Sequence, residues 1–276
     1  MKVRVLTSIG IALVGLPILL LSEYLIYPMA LALLSLAAVY EMTALTGFRK
    51  SPCVWAPSYL IAVLLPIGAF YADADSFTYV TACVGILFAF LFYLFGYAVL
   101  KRGKVKFEAI STHFITLLYI TLSFTALSLV RYIKDGVYMF ALVFVASWIC
   151  DMFAYFVGRA FGKHKLIVEV SPKKTVEGAI GGVVCTVLAF ALYGFIITLF
   201  YRSPEPKYLV LMAMGAVLSV VAQFGDLICS LIKREHGIKD YGSLFPGHGG
   251  VLDRFDSILA VAPLLYVFCV FFPPFV

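Results

Sequence analysis

Nine long apolar stretches dominate the sequence, and they restrict what the chain can fold into. A helix needs about 20 apolar residues to cross roughly 30 Å of hydrocarbon. The stretches are continuous rather than alternating, which excludes transmembrane β-strands and favours helices. With 63% hydrophobic and 13% charged residues, the chain also has too little polar surface for a soluble globule. We therefore predict an all-α, polytopic integral membrane bundle. The predicted spans are residues 5–21, 24–42, 54–71, 78–100, 108–130, 138–158, 178–200, 208–229 and 257–273.

The positions of the basic residues predict how the bundle is oriented. A cytoplasmic N-terminus places 17 of the 21 Lys and Arg residues in cytoplasmic segments. The four outside are Arg131, Lys134, Arg202 and Lys207. Because basic residues concentrate in the cytoplasmic loops of membrane proteins, this bias predicts nine transmembrane helices with an N-in, C-out topology. The formal charge of +6 favours contact with anionic membrane lipids, and the sequence contains no soluble basic module for nucleic acid.

Ionisable groups are distributed unevenly along a chain that we interpret as one membrane domain, residues 1–276. Few of them occur at the span ends of residues 1–130, which we interpret mainly as scaffold helices. Residues 147–257 hold nearly all the others, so we expect the catalytic half there, with its site on the cytoplasmic side. Residues 230–256 combine four basic residues, four acidic residues, two histidines and five glycines. This segment is too polar to cross a bilayer and too rich in glycine for an ordinary helix.

Three carboxylates near the cytoplasmic ends of the last two spans predict a metal site. Burying a carboxylate in a bilayer costs roughly 2.5 to 3.5 kcal/mol on insertion scales, so Asp226, Asp253 and Asp256 need a partner or a function. Residues 246–250 (PGHGG) are predicted to form a turn that folds the last two toward Asp226. Magnesium takes a few carboxylates and leaves positions for water and phosphate oxygens. The structural alternatives are an ion pair between Asp226 and Lys233, and acids that only complement a helix dipole.

The segment SPKKTVEG, residues 171–178, predicts a second polar element. We expect it to begin with a turn, Thr175 to cap the seventh span and Gly178 to permit close approach of a neighbouring helix. Lys173 and Lys174, beside the positive N-terminus of that helix, form a candidate phosphate site. Plain anchoring of the cytoplasmic side by basic residues is the alternative.

Two further acids lie within predicted spans. Asp151 is deep enough in the sixth span to require a partner, and Arg159, two turns further along the same helix face, is the candidate. Glu41, near the end of the second span, is a weaker functional candidate, and we expect a structural pairing for it.

A set of polar positions with fixed spacing resembles the signature of a known family, the CDP-diacylglycerol synthases, also called phosphatidate cytidylyltransferases. The positions are Ser230, Lys233-Arg234, Lys239-Asp240, Pro246, His248-Gly249-Gly250, Asp253-Arg254 and Asp256. SPKKTVEG and the region from Asp151 to Lys165 are similar to upstream motifs of the same family. The resemblance covers roughly residues 147–257, whereas the first 130 residues match only in hydropathy.

The resemblance implies a reaction and a cofactor. CTP and phosphatidic acid give CDP-diacylglycerol and pyrophosphate, with Mg²⁺ required and room for a second cation. A homodimer in the cytoplasmic (inner) membrane is implied as well. The implied metal ligands are Asp226 and Asp253, with Asp256 either as a further ligand or as an acid that supports the ligands. The implied catalytic residues are Asp226, Asp253, Lys233 and Arg254. The implied substrate-binding residues are Ser171, Lys173, Lys174, Thr175, Ser230, Arg234, Lys239, Asp240, His248, Gly249 and Gly250.

His248 and the class of the protein each allow more than one interpretation. A phosphomonoester oxygen is already anionic at neutral pH, so we expect His248 at a turn or a phosphate rather than as a general base.

One alternative function is a CTP-dependent nucleotidyl- or phosphotransferase acting on another lipid, such as an isoprenoid. Another is a transporter, which is disfavoured because the acids gather toward span ends and the sequence lacks repeated halves.

Overall fold

The computed structural model describes residue 10 and residues 13–72, 76–102, 104–201 and 204–275. Within these ranges, eight helices are long and apolar enough to cross a membrane. They are Ile26–Leu45, Pro52–Tyr71, Ser76–Leu100, Phe107–Tyr132, Gly136–Phe161, Val176–Phe200, Tyr208–Glu235 and Leu252–Phe271. These helices match the second to ninth predicted spans, and the all-α membrane fold is confirmed. The first predicted span, 5–21, lies partly outside the described residues. Three of the basic residues used to predict the orientation, Lys2, Arg4 and Arg202, lie wholly outside them.

The helices follow one another with short connections. In chain order they are α1 (Ile26–Leu45), α2 (Pro52–Gly68), α3 (Ser76–Leu100) and α4 (Phe107–Tyr132). The next span combines α5 (Gly136–Met139), α6 (Ala141–Phe144), a π-helical turn (Val145–Ile149) and α7 (Cys150–Phe161). The last three are α8 (Val176–Phe200), α9 (Tyr208–Glu235) and α10 (Leu252–Phe271). Short 3₁₀ turns lie at Phe48–Lys50 and Ala69–Tyr71.

A short antiparallel β-hairpin separates α7 from α8. Strand β1 (Lys165–Ile167) pairs with β2 (Ser171–Thr175). The prediction of a turn beginning at Ser171 is wrong, because the turn residues are 168–170 and Ser171 already belongs to the second strand. Pro172 fits there because each strand of a two-stranded sheet is an edge strand, where a missing N–H costs little.

Packing divides the chain into two compact units, and the first comprises residues 1–133 and 240–254. Helices α1, α2 and α4 pack together in it. The buried side chain of His113 on α4 connects the other two helices. Its Nε2 lies 2.9 Å from Ser58 Oγ, and its Nδ1 lies 3.1 Å from Thr46 Oγ1. Buried polar groups need such partners, because an unpaired one loses its hydration without compensation.

The second unit comprises residues 134–239 and 255–276, and glycines allow its helices to pack closely. A Cβ atom on Gly178 of α8 would lie 2.5 Å from Ala154 O and 3.0 Å from Gly158 Cα of α7. One on Gly182, a turn later, would lie 3.0 Å from Cys150 O. Small residues four apart permit this backbone approach in membrane helices. The close approach predicted at Gly178 is confirmed.

Large apolar side chains cover the outside of the helices. Phe88, Leu188 and Leu209 are 58%, 60% and 83% exposed, and many others resemble them. A soluble protein does not expose apolar surface on this scale, whereas lipid tails solvate it. The chain is therefore an integral membrane protein.

Candidate active site

Three carboxylates from three helices cluster in the second unit. Asp151 lies on α7, Asp226 on α9 and Asp256 on α10, and each interacts electrostatically with the other two. The hydroxyl of Ser257 lies 3.2 Å from Asp151 Oδ2 and 3.4 Å from Asp256 Oδ1. The backbone N–H of Ser257 also donates to Asp256 Oδ1, at 2.8 Å. The cluster therefore concentrates negative charge at one point of an otherwise apolar bundle.

Gly225 explains how two of these acids come together. A Cβ atom at this position would lie 2.6 Å from Ala260 Cβ and 2.7 Å from the carbonyl oxygen of Asp256. Helix α9 thus packs directly on the backbone of α10 at the residue before Asp226. A larger side chain at Gly225 would separate the two helices and their acids.

Lys174 supplies the positive charge nearest to the cluster. Its Nζ, which is shielded from solvent, lies 2.5 Å from Asp226 Oδ2. It also interacts electrostatically with Asp151. Ser230 lies one turn beyond Asp226 on α9, with its Oγ 3.5 Å from Asp226 Oδ1. The cation that lies on Asp226 comes from β2, and Lys233 interacts electrostatically with Asp256. The alternative pairing of Asp226 with Lys233 stays a prediction.

The hairpin that carries Lys174 is fixed at its base. Thr175 caps α8, as predicted, and its Oγ1 accepts the N–H of Gly178 at 3.2 Å. Across the hairpin, His164 Nδ1 lies 2.6 Å from Glu177 Oε1. The backbone N–H of His164 donates to the same carboxylate, and the N–H of Val176 donates to His164 O at 2.9 Å. These bonds hold the two ends of the hairpin together at the start of α8.

A cavity of about 300 Å³ opens beside this cluster. Its charged lining consists of Asp151, Asp226, Arg159, Lys173 and Lys174. Such a mixture of carboxylates and cations can hold a phosphorylated ligand together with a divalent metal. The remaining lining residues are Ala154, Tyr155, Gly158, Leu166, Thr175, Ala179 and Gln223.

An apolar groove of about 260 Å³ adjoins the polar cavity. Leu166, Ala179 and Gln223 line both spaces, so the two are neighbours. The other residues of the groove are Ile167, Ile180, Val183, Val220, Phe224 and Leu227. Charged residues line one of these neighbouring spaces and apolar residues line the other, which suits an amphipathic molecule.

The glycine-rich loop between α9 and α10 lies mainly in the first unit. The predicted turn at residues 246–250 is present: the N–H of His248 donates to Phe245 O at 2.8 Å, and Phe245 and Gly249 form a bridge. Gly247 and Gly249 have φ of 78° and 90°, values that favour glycine. The loop folds around a carboxylate. Asp253 Oδ2 accepts the N–H of Tyr241 at 2.8 Å and that of Gly250 at 2.9 Å.

The structure brings together only part of the predicted site. Within the second unit, Lys173, Lys174, Thr175, Asp226, Ser230 and Asp256 lie in or beside the cluster and cavity. Lys233 and Arg234 lie in the last turn of α9, where Lys233 interacts with Asp256 of the cluster. Ser171 begins β2, and Lys239 is exposed just beyond α9. Asp240, His248, Gly249, Gly250, Asp253 and Arg254 belong to the first unit.

Sequence reasoning did not assign Asp151 and Ser257 to the site. Asp151 does not pair with Arg159, whose Nη1 lies 3.5 Å from the phenolic oxygen of Tyr155 on the same helix. Asp151 instead accepts a hydrogen bond from the hydroxyl of Ser257. A carboxylate inside an apolar helix was the signal for Asp151, but its partner comes from a distant helix and has no sequence spacing to reveal it. The expected structural pairing of Glu41 is present, and its partners are backbone N–H groups of the glycine-rich loop.

Magnesium suits the cluster, because carboxylate oxygen atoms are the ligands that hard cations prefer. Within the described ranges, however, no group of three or more His, Cys, Asp or Glu side chains has the arrangement of a finished metal site. Lys174 already neutralises part of the charge on Asp226. The carboxylates therefore fit a metal by type, and the assignment of ligands stays a prediction.

Comparison with known proteins extends the resemblance over almost the whole chain. The profile of the cytidylyltransferase family matches residues 2–272. The chain is 35% identical to the phosphatidate cytidylyltransferase of Staphylococcus haemolyticus over 269 residues, which are 97% of this chain and 98% of that protein. The enzymes of the same name from Staphylococcus epidermidis and Staphylococcus aureus are 34% and 33% identical over the same shares of each chain.

Proposed function

The chain belongs to the cytidylyltransferase family, and on that premise we propose that it converts CTP and phosphatidic acid to CDP-diacylglycerol and pyrophosphate. A phosphate oxygen of the lipid attacks the α-phosphorus of CTP. A new P–O bond forms there, and the bond to the β-phosphate oxygen breaks, so that pyrophosphate leaves. The product feeds phospholipid biosynthesis.

One observation supports this proposal above the others: an apolar groove adjoins the polar cavity and shares three lining residues with it. A nucleotide alone needs no apolar extension, and an acyl chain alone needs no lysines or carboxylates. A lipid phosphate needs both, with its headgroup beside Lys173 and Lys174 and an acyl chain along Ile180, Val183 and Phe224. CTP then reaches the headgroup from the polar side.

The chain's own residues contribute charge and position rather than proton transfer. Lys173 and Lys174 reduce the repulsion between two anionic reactants, and the N-terminus of α8 adds to that effect. Thr175 fixes the strand that carries them. The phosphate nucleophile is already anionic, so the proposal includes no general base and keeps His248 as a turn or phosphate contact.

We propose that Asp226 and Asp256, with Asp151, hold Mg²⁺ when it is bound. The metal would supply positive charge to phosphate oxygens of the nucleotide. Asp253 belongs to the first unit, where its Oδ2 accepts two backbone N–H groups of the glycine-rich loop, and its role as a metal ligand stays a sequence-based prediction. Ser230 supports Asp226, and the resemblance adds Ser171, Lys233, Arg234, Lys239, Asp240, Gly249, Gly250 and Arg254 as predicted contacts of the substrates.

We further propose that the protein lies in the cytoplasmic membrane as a homodimer, with its site facing the cytoplasm, where CTP is found. The excess of basic residues in the predicted cytoplasmic segments supports the sidedness. An impermeant thiol reagent should label Ser243→Cys, in a cysteine-free background, in inverted vesicles but not in intact cells. Labelling in intact cells alone would contradict this orientation.

The test of the reaction is an acceptor panel. Purified protein is incubated with CTP labelled at the α-phosphate, magnesium, and phosphatidic acid, an isoprenoid phosphate or an isoprenoid alcohol. We expect label to enter lipid with phosphatidic acid and unlabelled pyrophosphate to be released. Label entering only the isoprenoid phosphate would assign another acceptor. Formation of labelled CDP in the presence of the alcohol, with no label in lipid, would show transfer of the γ-phosphate and assign a kinase.

A further inference from the structure

We propose that Glu41 is a positioning residue for the reaction, acting through the glycine-rich loop, residues 240–254. This inference depends on the proposed function, in which the loop carries substrate contacts. Glu41 lies on α1, in the part of the sequence interpreted as scaffold. Its carboxylate nevertheless holds the backbone of the loop, more than 200 residues later in the chain.

The contact is buried and involves both carboxylate oxygens. Glu41 Oε1 accepts the N–H of Val251 at 2.9 Å, and Oε2 accepts the N–H of Leu252 at 3.1 Å. Glu41 is only 6% exposed. These two N–H groups lie at the first turn of α10, where no helical carbonyl is available to accept them. A carboxylate satisfies them and complements the positive end of the helix dipole.

Two glycines of the loop are required by Glu41 itself. A Cβ atom on Gly242 would lie 2.6 Å from Glu41 Oε1, and one on Gly250 would contact the same oxygen while lying 2.6 Å from Oε2. Neither glycine has a positive φ, in contrast to Gly247 and Gly249. Their missing side chains therefore provide space for the carboxylate rather than an unusual backbone conformation.

Asp253 completes the arrangement from within the loop. Its Oδ2 accepts the N–H groups of Tyr241 and Gly250. Two carboxylates together thus bind four backbone N–H groups, at residues 241, 250, 251 and 252. Asp253 belongs to the loop itself, whereas Glu41 connects the loop to helix α1 of the first unit. The positions of His248 and Arg254 depend on that connection.

The first test is Glu41→Gln. Glutamine keeps the shape, but it has one acceptor oxygen and an NH₂ group that faces a backbone N–H. We expect kcat/KM for CTP to fall at least tenfold in protein that remains folded in detergent. Glu108→Gln is the matched control, because Glu108 is an exposed acid in the first turn of α4, and it should retain full activity. Glu41→Asp, one methylene shorter, should also lose activity.

The rate of thiol labelling measures the order of the loop independently of activity. Ser243 is exposed in the loop, and in a cysteine-free background Ser243→Cys should react with a thiol reagent faster when Glu41→Gln is added. A purely structural loss would lower thermal stability and leave the labelling rate at low temperature unchanged. Unchanged labelling together with unchanged kinetics would overturn the proposal.

A double-mutant cycle tests the contact directly. Gly250→Ala forces a methyl group onto the carboxylate, and Glu41→Ala removes the carboxylate. The double variant should lose less activity than the product of the two single losses, because Glu41→Ala removes the carboxylate against which the new methyl group clashes. Independent losses would contradict the contact. If the wild-type protein transfers no cytidylyl group, the proposed function is rejected. Faster labelling of Ser243→Cys in the Glu41→Gln variant would then still show that Glu41 orders the loop.

Discussion

Lys174 Nζ and Asp226 Oδ2 lie 2.5 Å apart and join the β-hairpin to helix α9. Two elements that the sequence presents separately, a predicted phosphate-binding segment and a predicted metal-binding acid, thus belong to one site. The lysine balances part of the charge of Asp226 and Asp151, two of the three clustered carboxylates. Its positive charge is therefore held where anionic substrates are proposed to bind.

The lysines of the hairpin should contribute much more to catalysis than lysines elsewhere on the surface. We expect Lys173→Ala and Lys174→Ala each to lower kcat/KM at least tenfold, or about 1.4 kcal/mol, because both line the cavity. Lys104→Ala is the control, since Lys104 is exposed in a loop with other basic residues and no acids. For each of the three variants, the rate is measured as a function of the concentrations of CTP and of phosphatidic acid. Equal, modest losses would mean that these residues only set surface potential.

The bond between His164 and Glu177 should orient the hairpin. His164→Ala removes the side-chain donor and should lower kcat/KM about threefold to tenfold. In His164→Asn an amide nitrogen takes the place of Nδ1, so this variant should recover most of the activity. Glu177→Gln should resemble His164→Ala, whereas Glu169→Gln, an exposed acid in the hairpin turn, should be silent. An Asn variant as impaired as the Ala variant would argue against a positioning hydrogen bond.

The glycine contact between α7 and α8 should control stability. Gly178→Val places its side chain against Ala154 O and Gly158, and should destabilise the protein by about 1–3 kcal/mol. Gly85→Ala is the control, because a Cβ atom there has no neighbour within 4 Å and alanine favours a helix. Thermal unfolding in detergent compares the two. A Gly178→Val protein as stable as wild type would show that this packing contact is dispensable.

The apolar groove should affect the lipid and not the nucleotide. Val183→Trp fills part of the groove and should raise the KM for phosphatidic acid severalfold, with little change in the KM for CTP. Val184→Trp adds the same volume at a neighbouring exposed position that does not line the groove, and should leave both constants unchanged. If Val183→Trp changed the KM for CTP alone, the groove would not be the acyl-chain site.

Most of the helices could be predicted from sequence because hydropathy determines where a chain can cross a membrane. The predicted spans 78–100 and 178–200 correspond to Ser76–Leu100 and Val176–Phe200. The hairpin was missed because strands of three and five residues have no hydrophobic period of their own. Helical spacing suggested Lys233 for Asp226 and Arg159 for Asp151. In the structure, Lys174 forms an ion pair with Asp226 and Ser257 donates a hydrogen bond to Asp151. Both partners come from other elements, which local spacing cannot reveal.

The central claim, that the acidic cluster beside Lys174 is the active site, is tested most directly by cytidylyl transfer in Asp226→Asn and Asp151→Asn. An amide keeps the shape of each side chain and removes its charge. Both variants should lose about a hundredfold or more of the wild-type rate at saturating magnesium while remaining folded. Glu205→Gln, an exposed acid in the same unit, should be unaffected. Near wild-type rates in the two Asn variants would contradict the claim.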